Sequence, residues 1–271
     1  MVLNHALQPS CRMAAAFLLA CMFIVPMSSA WADPCLEARR LFNQSLEAGG
    51  DADMELSLLM RAGSICKEPD VLGPVFNNMG DVFERKGMLA LAFEYYRKAS
   101  LMAPGLAVPY MSAADLYRKL GDFYSARLVY RKALEAEPGN ARIRTGLEEV
   151  ERLLKDRVVV YFPFGGKALD RSARARLDLF IEYLRQSHGP VVIEVQGHTC
   201  DMGPRSYNNR LGLERARAVA SYIRSGMDSA GIEAIRFVIT SRGEDAPLIA
   251  SRHPAARRLN RRVEVWHQKA R

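Results

Sequence analysis

The amino-acid sequence predicts a multidomain protein in which all-α helical repeats are followed by an α/β sandwich. Two segments in the first half match at a fixed spacing, and four β-branched runs alternate with helical patterns in the second. The chain has 271 residues, 49% hydrophobic and 25% charged, enough for two domains with separate cores. The predicted boundaries are a signal peptide at 1–32, helical repeats with a capping helix at 33–156, and the α/β domain at 157–271.

The N-terminal segment has the pattern of an export signal. Residues 13–27 are apolar, and the following "SSAWA" has small residues at Ala30 and Ala32, so we predict a secretory signal peptide that is cleaved after Ala32. The run "LLAC" at 18–21 also resembles a lipoprotein cleavage box with Cys21 as the lipidated residue, although the apolar run continues beyond it. The expected location is the periplasm. An outer-membrane association, with direct membrane contact, is expected only if Cys21 carries lipid.

Positive charge is concentrated in the C-terminal part. Residues 157–271 contain 20 Lys and Arg against 11 Asp and Glu, whereas residues 1–156 contain 18 against 19. A basic domain indicates either an acidic partner or simply a solvated basic surface. Export argues against nucleic acid as the partner, so an anionic polymer outside the cytoplasm is the expected partner.

Cleavage after Ala32 would leave three cysteines. In an oxidising compartment Cys35 and Cys66 are expected to form a disulfide. They lie at the start of the first helix and the end of the second helix of one predicted antiparallel hairpin, and these two places are close together. The alternative is two unpaired buried thiols. Cys200 is expected to remain unpaired.

The first half repeats at a spacing of 34 residues. The segments 76–105 and 110–139 align small residues, aromatic residues and a terminal proline, as a stacked helical hairpin requires. Residues 35–69 form a less regular first copy, and residues 140–156 form an amphipathic helix that we expect to cap the array. Such an array presents a surface for a protein partner, which the residues do not identify, or acts as a spacer.

The second half alternates strands and helices. Strands are predicted at 157–164, 190–196, 235–241 and 261–267. Helices are predicted at 168–186, at 205–225 with a stop at Gly226, and at 254–260. This alternation predicts helices packed on one sheet.

Arg215 lies on the apolar stripe of the second of these helices. Its stripe neighbours include Leu211, Ala218 and Tyr222, so its guanidinium faces the sheet and needs a partner. Two partners are possible from the spacing: the carboxylate of Asp201, or a carboxylate of a bound ligand.

The repeat and the C-terminal motif each resemble a different known family. The 34-residue repeat resembles the tetratricopeptide repeat. The run "VQGHTC", with Gly203, "YNNRLGLERARAVASYI" and the closing "NRRVEV", resembles the OmpA-like peptidoglycan-binding domain over about 158–267. The second resemblance implies a βαβαβ fold whose loop and helix bind the diaminopimelate residue of peptidoglycan stem peptides.

The resemblance also implies site residues. Arg215 corresponds to the arginine that binds the ligand carboxylate, Asn208 to an amide that forms a hydrogen bond, and Thr199 to the threonine that the family has in the loop. Arg262, in the closing motif, is a weaker candidate.

Diaminopimelate also carries an ammonium group, and the positions that would bind it depart from the family pattern. Cys200 stands where the family usually has aspartate, and Asp201 follows it. The first strand ends Phe162-Pro163-Phe164, without the acid that the family often has there. We expect Asp201 to bind the ammonium group in its place.

Catalysis and metal binding are the alternatives that the motif raises. His198 and Cys200 suggest a Cys–His nucleophile, but alternate residues of an extended segment point to opposite sides. A zinc site from His198, Cys200 and either His253 or His267 lacks paired ligand spacing. We therefore expect no enzyme activity, cofactor or metal. The competing function is a protein-interaction adaptor of an envelope or secretion assembly, whose C-terminal domain is only structural.

Overall fold

The computed structural model describes residues 33–186, 191–228 and 235–269. It contains an array of helical hairpins followed by a four-stranded sheet with helices, which confirms the predicted fold class. None of the helices in these ranges has the length and apolarity of a membrane span. The predicted signal peptide, with the alternative of lipidation at Cys21, lies outside the described residues.

Seven helices form the repeat array. They pack as successive antiparallel pairs, and polar side chains cap several of their N-termini, such as Asp51, Asp122 and Asn140. Cys35 and Cys66 form a disulfide with their Cα atoms 4.7 Å apart, which joins the start of the first helix to the end of the second. The helices are α1 Pro34–Leu46, α2 Ala52–Ile65, α3 Pro69–Arg85, α4 Leu89–Met102, α5 Ala107–Lys119, α6 Phe123–Ala136 and α7 Ala141–Leu153.

Aromatic residues fill the space beside small residues where neighbouring helices cross. The ring of buried Tyr96 on α4 lies so close to Gly80 on α3 that an added Cβ would stand 2.5 Å from it. Tyr130 on α6 packs in the same way on Gly146 of α7, with 2.7 Å to such a Cβ. A larger residue at either glycine would separate the helices, which explains the repeat pattern.

The α/β domain is one mixed sheet. The strand order is β1-β4-β2-β3; β4 is antiparallel to both neighbours, and β2 and β3 are parallel. Valine and isoleucine from β1, β2 and β4 meet the apolar faces of α8 and α9 in one core. The elements are β1 Arg157–Tyr161, α8 Arg171–Arg185, β2 Val191–His198, α9 Arg205–Asp228, β3 Ile235–Gly243, α10 Pro254–Asn260 and β4 Arg262–Lys269.

Gly226 does not end α9, contrary to the prediction. The helix continues to Asp228, and Gly226 faces α8, where an added Cβ would lie 2.7 Å from Cδ1 of Ile181. The glycine therefore serves close helix packing rather than termination.

The repeat array packs directly on the α/β domain. Arg176 of α8 donates to the Asp122 carboxylate (2.7 Å) and to the Ser125 hydroxyl (2.8 Å), both at the start of α6. Beside this ionic contact, an apolar cluster joins α4 to α10 through Ala90 and Leu259. The junction therefore combines a buried ion pair with an apolar contact.

Candidate ligand site around Arg215

Two glycines bring α9 onto β2 at the site. A Cβ on Gly197 would lie 1.9 Å from the carbonyl oxygen of Gly212, so the backbones of strand and helix touch there. Arg215 follows Gly212 by one helical turn, and its guanidinium thus reaches the end of β2.

Backbone carbonyls hold the Arg215 guanidinium. Nε donates to the Gly166 oxygen (2.8 Å), Nη1 to His198 (3.2 Å) and Nη2 to Pro163 (3.1 Å). The ring of Phe162 lies 5.2 Å from its central carbon. A guanidinium has five N–H donors, so two remain for another acceptor while the side chain is fixed in one position.

The Arg215 charge has no carboxylate partner in the described structure. Within residues 33–186, 191–228 and 235–269, no acid lies within ion-pair distance of its guanidinium. The residue is fully buried. Burial, and then the neighbouring Arg261, lowers the pKa of Arg215 from its ordinary value to about 10, so it stays charged at neutral pH. The alternative of an internal salt bridge to Asp201 is wrong, because Asp201 pairs with another arginine.

A narrow cleft opens beside Arg215. Its volume is about 20 Å³, room for a single water molecule. Three partly exposed side chains form its rim: Phe164, Met202 and Tyr207. A ligand must move them to reach the guanidinium. The inner wall contains Thr199, Cys200, Asn208, Leu211, Arg215 and Arg261.

Asp201 faces a second, larger cavity of about 320 Å³. Its carboxylate accepts from Nε (2.7 Å) and Nη2 (3.1 Å) of Arg257 on α10, and this hydrogen bonding lowers its pKa. Thr199 lines both cavities; its hydroxyl is buried and has no hydrogen-bond partner in the described part of the chain. The two cavities therefore meet at an unsatisfied polar group.

Asn208 is fixed by a residue that the sequence did not single out. Its side-chain nitrogen donates to the carboxylate of Glu244, which follows β3, and at 3.4 Å to the Gly203 oxygen. Glu244 also lines the larger cavity. One signal for this contact is visible in the sequence: Glu244 comes directly after Gly243, which ends a strand at the same sheet edge as the loop.

Arg262 does not belong to the cleft, which corrects the prediction. It donates to Glu264 (2.7 Å) on the sheet face opposite the core, because its neighbour Val263 points into the core. Arg261 lines the cleft instead and donates to the Phe162 oxygen at 3.2 Å. The closing motif thus contributes its first arginine to the site.

His198 and Cys200 are both buried and show no catalytic arrangement. The imidazole lies 3.9 Å from Glu264; burial, then Arg262, lowers the pKa of His198 to about 4, so the ring is neutral at pH 7. In the described ranges, the one cluster with metal-ligand spacing is Cys35, Cys66 and Glu68, and its sulfurs are bonded in the disulfide. In the same ranges, no group of residues with metal-ligand spacing contains His253 or His267.

Fold and site together define a two-domain protein, in which helical repeats precede an α/β sandwich with a buried, uncompensated arginine. The OmpA family matches residues 161–261, and the tetratricopeptide repeat matches residues 73–105 and 107–140. The chain therefore carries an OmpA-family domain behind tetratricopeptide repeats.

Individual relatives match one part of the chain each. The peptidoglycan-associated lipoprotein of Pseudomonas aeruginosa is 32% identical over 116 residues, 42% of this chain and 65% of that protein. The human protein O-mannosyl-transferase TMTC1 is 29% identical over 122 residues, 45% of this chain and 14% of that protein. The crystal structure of the peptidoglycan-associated lipoprotein from Burkholderia pseudomallei covers 43% of this chain and 92% of its own, at 29% identity and a TM-score of 0.36. The chain thus spans less than two thirds of the Pseudomonas aeruginosa lipoprotein and of TMTC1.

Proposed function

We propose that this protein is a non-catalytic periplasmic component that attaches non-covalently to peptidoglycan and binds a protein partner through its repeats. The observation that carries the proposal is the buried Arg215 guanidinium, which three carbonyls orient and no described acid neutralises. A buried charge without a counter-ion is costly, and a ligand carboxylate would supply that counter-ion. The matched families, which are structural and binding families, and the relatives named peptidoglycan-associated lipoprotein support this reading.

Diaminopimelate fits the charges on the two sides of the site. Its carboxylate would bind the free donors of Arg215, and its ammonium group would bind Asp201, across the unsatisfied hydroxyl of Thr199. Asp201, which is partly exposed, would then give up part of its ion pair with Arg257 and bind the ammonium group of the ligand instead. Asn208 and Cys200 would line the path between these groups.

Two features support a periplasmic location. The predicted leader directs export, and the Cys35–Cys66 disulfide is typical of an oxidising compartment. The wall attachment would hold the repeats at the peptidoglycan layer.

Sedimentation with purified sacculi tests the proposal. Arg215→Ala and Arg215→Lys should both leave the protein in the supernatant, since lysine keeps the charge and loses the planar pair of donors. Arg217→Ala is the matched control, because Arg217 is an exposed arginine on the same helix. Circular dichroism and thermal unfolding of each variant show that it is folded.

Competition with soluble tripeptides defines the ligand. A tripeptide that ends in meso-diaminopimelate should release the protein from sacculi, and the same tripeptide ending in lysine should not, because it lacks the second carboxylate. Sedimentation of a folded Arg215→Ala variant at the level of the unsubstituted protein would exclude the proposed attachment.

A further inference from the structure

A large cavity lies at the domain junction, away from Arg215. It has a volume of about 710 Å³, within the range of ligand-binding pockets. Helices α4, α5 and α6 of the repeats form most of its wall, and α10 of the α/β domain completes it. We call this cavity the junction groove; its floor contains Phe93, Tyr110, Ala113, Tyr117, Val129 and Leu259.

Three unpaired cations surround this apolar floor. Arg97, Lys132 and Arg258 are exposed, and none of them has an ion pair in the described part of the chain. The single acid of the wall, Glu94, is already bound by Lys98 at 3.1 Å. The groove therefore presents an excess of positive charge around an apolar floor.

The opposite side of the repeats differs in this respect. The cavities between α3, α5 and α7 contain cations that pair with acids of the same array, such as Arg118 with Glu149 at 3.2 Å and Lys119 with Glu84 at 2.5 Å. The junction groove thus differs from these two cavities in that its cations have no acidic partner among the described residues.

The groove is fixed by the contact between the two domains. The buried pair of Arg176 and Asp122, whose side chains are 10% and 0% exposed, holds α8 against the start of α6. The apolar cluster of Ala90 with Leu259 holds α10 against α4. The walls are therefore positioned before any partner arrives, which reduces the ordering cost of binding.

We infer that the junction groove binds an acidic segment of a partner protein that carries apolar side chains. This inference rests on the proposed function in one respect, that the repeats bind a protein; it assigns the surface and the chemistry of the partner. Carboxylates of the segment would meet Arg97, Lys132 and Arg258, and its apolar side chains would cover the aromatic floor. The chain's own residues 1–32 do not supply such a segment, because they contain no Asp or Glu.

Fluorescence anisotropy with synthetic peptides tests the inference on the full-length protein. The probe is a short fluorescein-labelled peptide of glutamate and leucine, and the comparison peptides carry glutamine or lysine in place of glutamate. The glutamate peptide should bind at least about tenfold more tightly than either, since three charge pairs add to the apolar contact.

Charge reversal locates the site. The triple variant Arg97→Glu, Lys132→Glu and Arg258→Glu should weaken the glutamate peptide at least about tenfold, and Arg258→Glu alone about threefold. The matched control is the triple variant Lys67→Glu, Arg152→Glu and Arg171→Glu, which changes the net charge equally at exposed cations elsewhere. It should bind the peptide as the unsubstituted protein does.

Several outcomes would overturn the inference. They are equal binding of the glutamine or lysine peptide, equal loss in the control triple variant, or self-association that only the groove triple variant abolishes. Loss of sacculus binding in the groove triple variant would assign the groove to the cell wall instead. Arg215→Ala distinguishes the two proposals, because it should remove sacculus binding and leave peptide binding unchanged.

Discussion

Among the buried arginines of the α/β domain, Arg176 and Arg215 have contrasting surroundings. Arg176, at the junction, contacts the carboxylate of Asp122, a hydroxyl and a carbonyl, and lies over the ring of Tyr124. Arg215, at the cleft, contacts carbonyls and an aromatic ring, without an acid among the described residues. The charge of Arg176 is neutralised by an acid of the protein, whereas the carbonyls around Arg215 only orient its guanidinium. This difference separates a structural ion pair from a candidate ligand site.

The largest expected effect comes from breaking the balanced pair. Asp122→Asn keeps an oxygen for the N-cap bond to the Ser125 amide (3.0 Å) but leaves Arg176 buried without a counter-charge. We expect a loss of about 3–5 kcal/mol in the free energy of unfolding, measured by urea denaturation. The double variant Asp122→Asn with Arg176→Met should recover most of it. A loss under about 1 kcal/mol in the single variant would mean that the pair does not stabilise the junction.

Acidification is expected to have the next largest effect, through His198. Its folded pKa of about 4 lies below its ordinary value of 6.5, so the unfolded chain binds a proton in this window and the folded protein does not. Stability therefore falls as the pH drops below about 6.5, by about 2 kcal/mol at pH 5. His198→Gln should unfold with a flatter pH dependence from pH 7 to pH 5. Identical slopes in the two proteins would contradict the prediction.

Arg215 should contribute less to stability than the junction pair. Arg215→Gln removes hydrogen bonds to three carbonyls, and it also removes the cost of a buried charge that has no acid. We expect a net loss of about 1–2 kcal/mol in urea denaturation, together with the loss of sacculus binding. A destabilisation larger than that of Asp122→Asn would reverse the comparison and make Arg215 a structural residue.

The smallest expected effect is that of Asp201→Asn. The pair with Arg257 is 43% exposed on the Asp201 side, so the free energy of unfolding should change by about 0.5 kcal/mol or less. Calorimetric titration should show weaker binding of the diaminopimelate tripeptide. The analogue without the second amino group is the control and should bind both proteins alike. Equal losses for the two ligands would show that Asp201 does not bind the ammonium group.

Local patterns predicted the parts of the fold that depend on periodicity. The 34-residue spacing identified Gly80 and Tyr96 as helix-crossing positions, and the helical stripe placed Arg215 on the face of α9 that meets the sheet. Both inferences follow from which residues share a face, and the sequence contains that information directly.

Contacts between distant elements were beyond the same reasoning. Arg176 and Asp122 are 54 positions apart, and nothing in either local pattern links them. The sequence also did not show which of the adjacent arginines Arg261 and Arg262 lies at the cleft. Arg262 begins β4 and lies on the same face of the strand as Glu264, and this start of the strand is known only from the structure. A charged residue on the apolar stripe of α8 was the available signal for Arg176.

The short helix α10 contributes to both candidate sites. Its Arg257 binds Asp201 beside the 320 Å³ cavity, and the next residue, Arg258, stands on the wall of the junction groove. A shift of this seven-residue helix would therefore change the dimensions of two cavities at once. If filling one cavity moves the helix, filling the other must alter the first by an equal free energy. The proposed wall attachment and the proposed partner site would then be coupled energetically through this one helix.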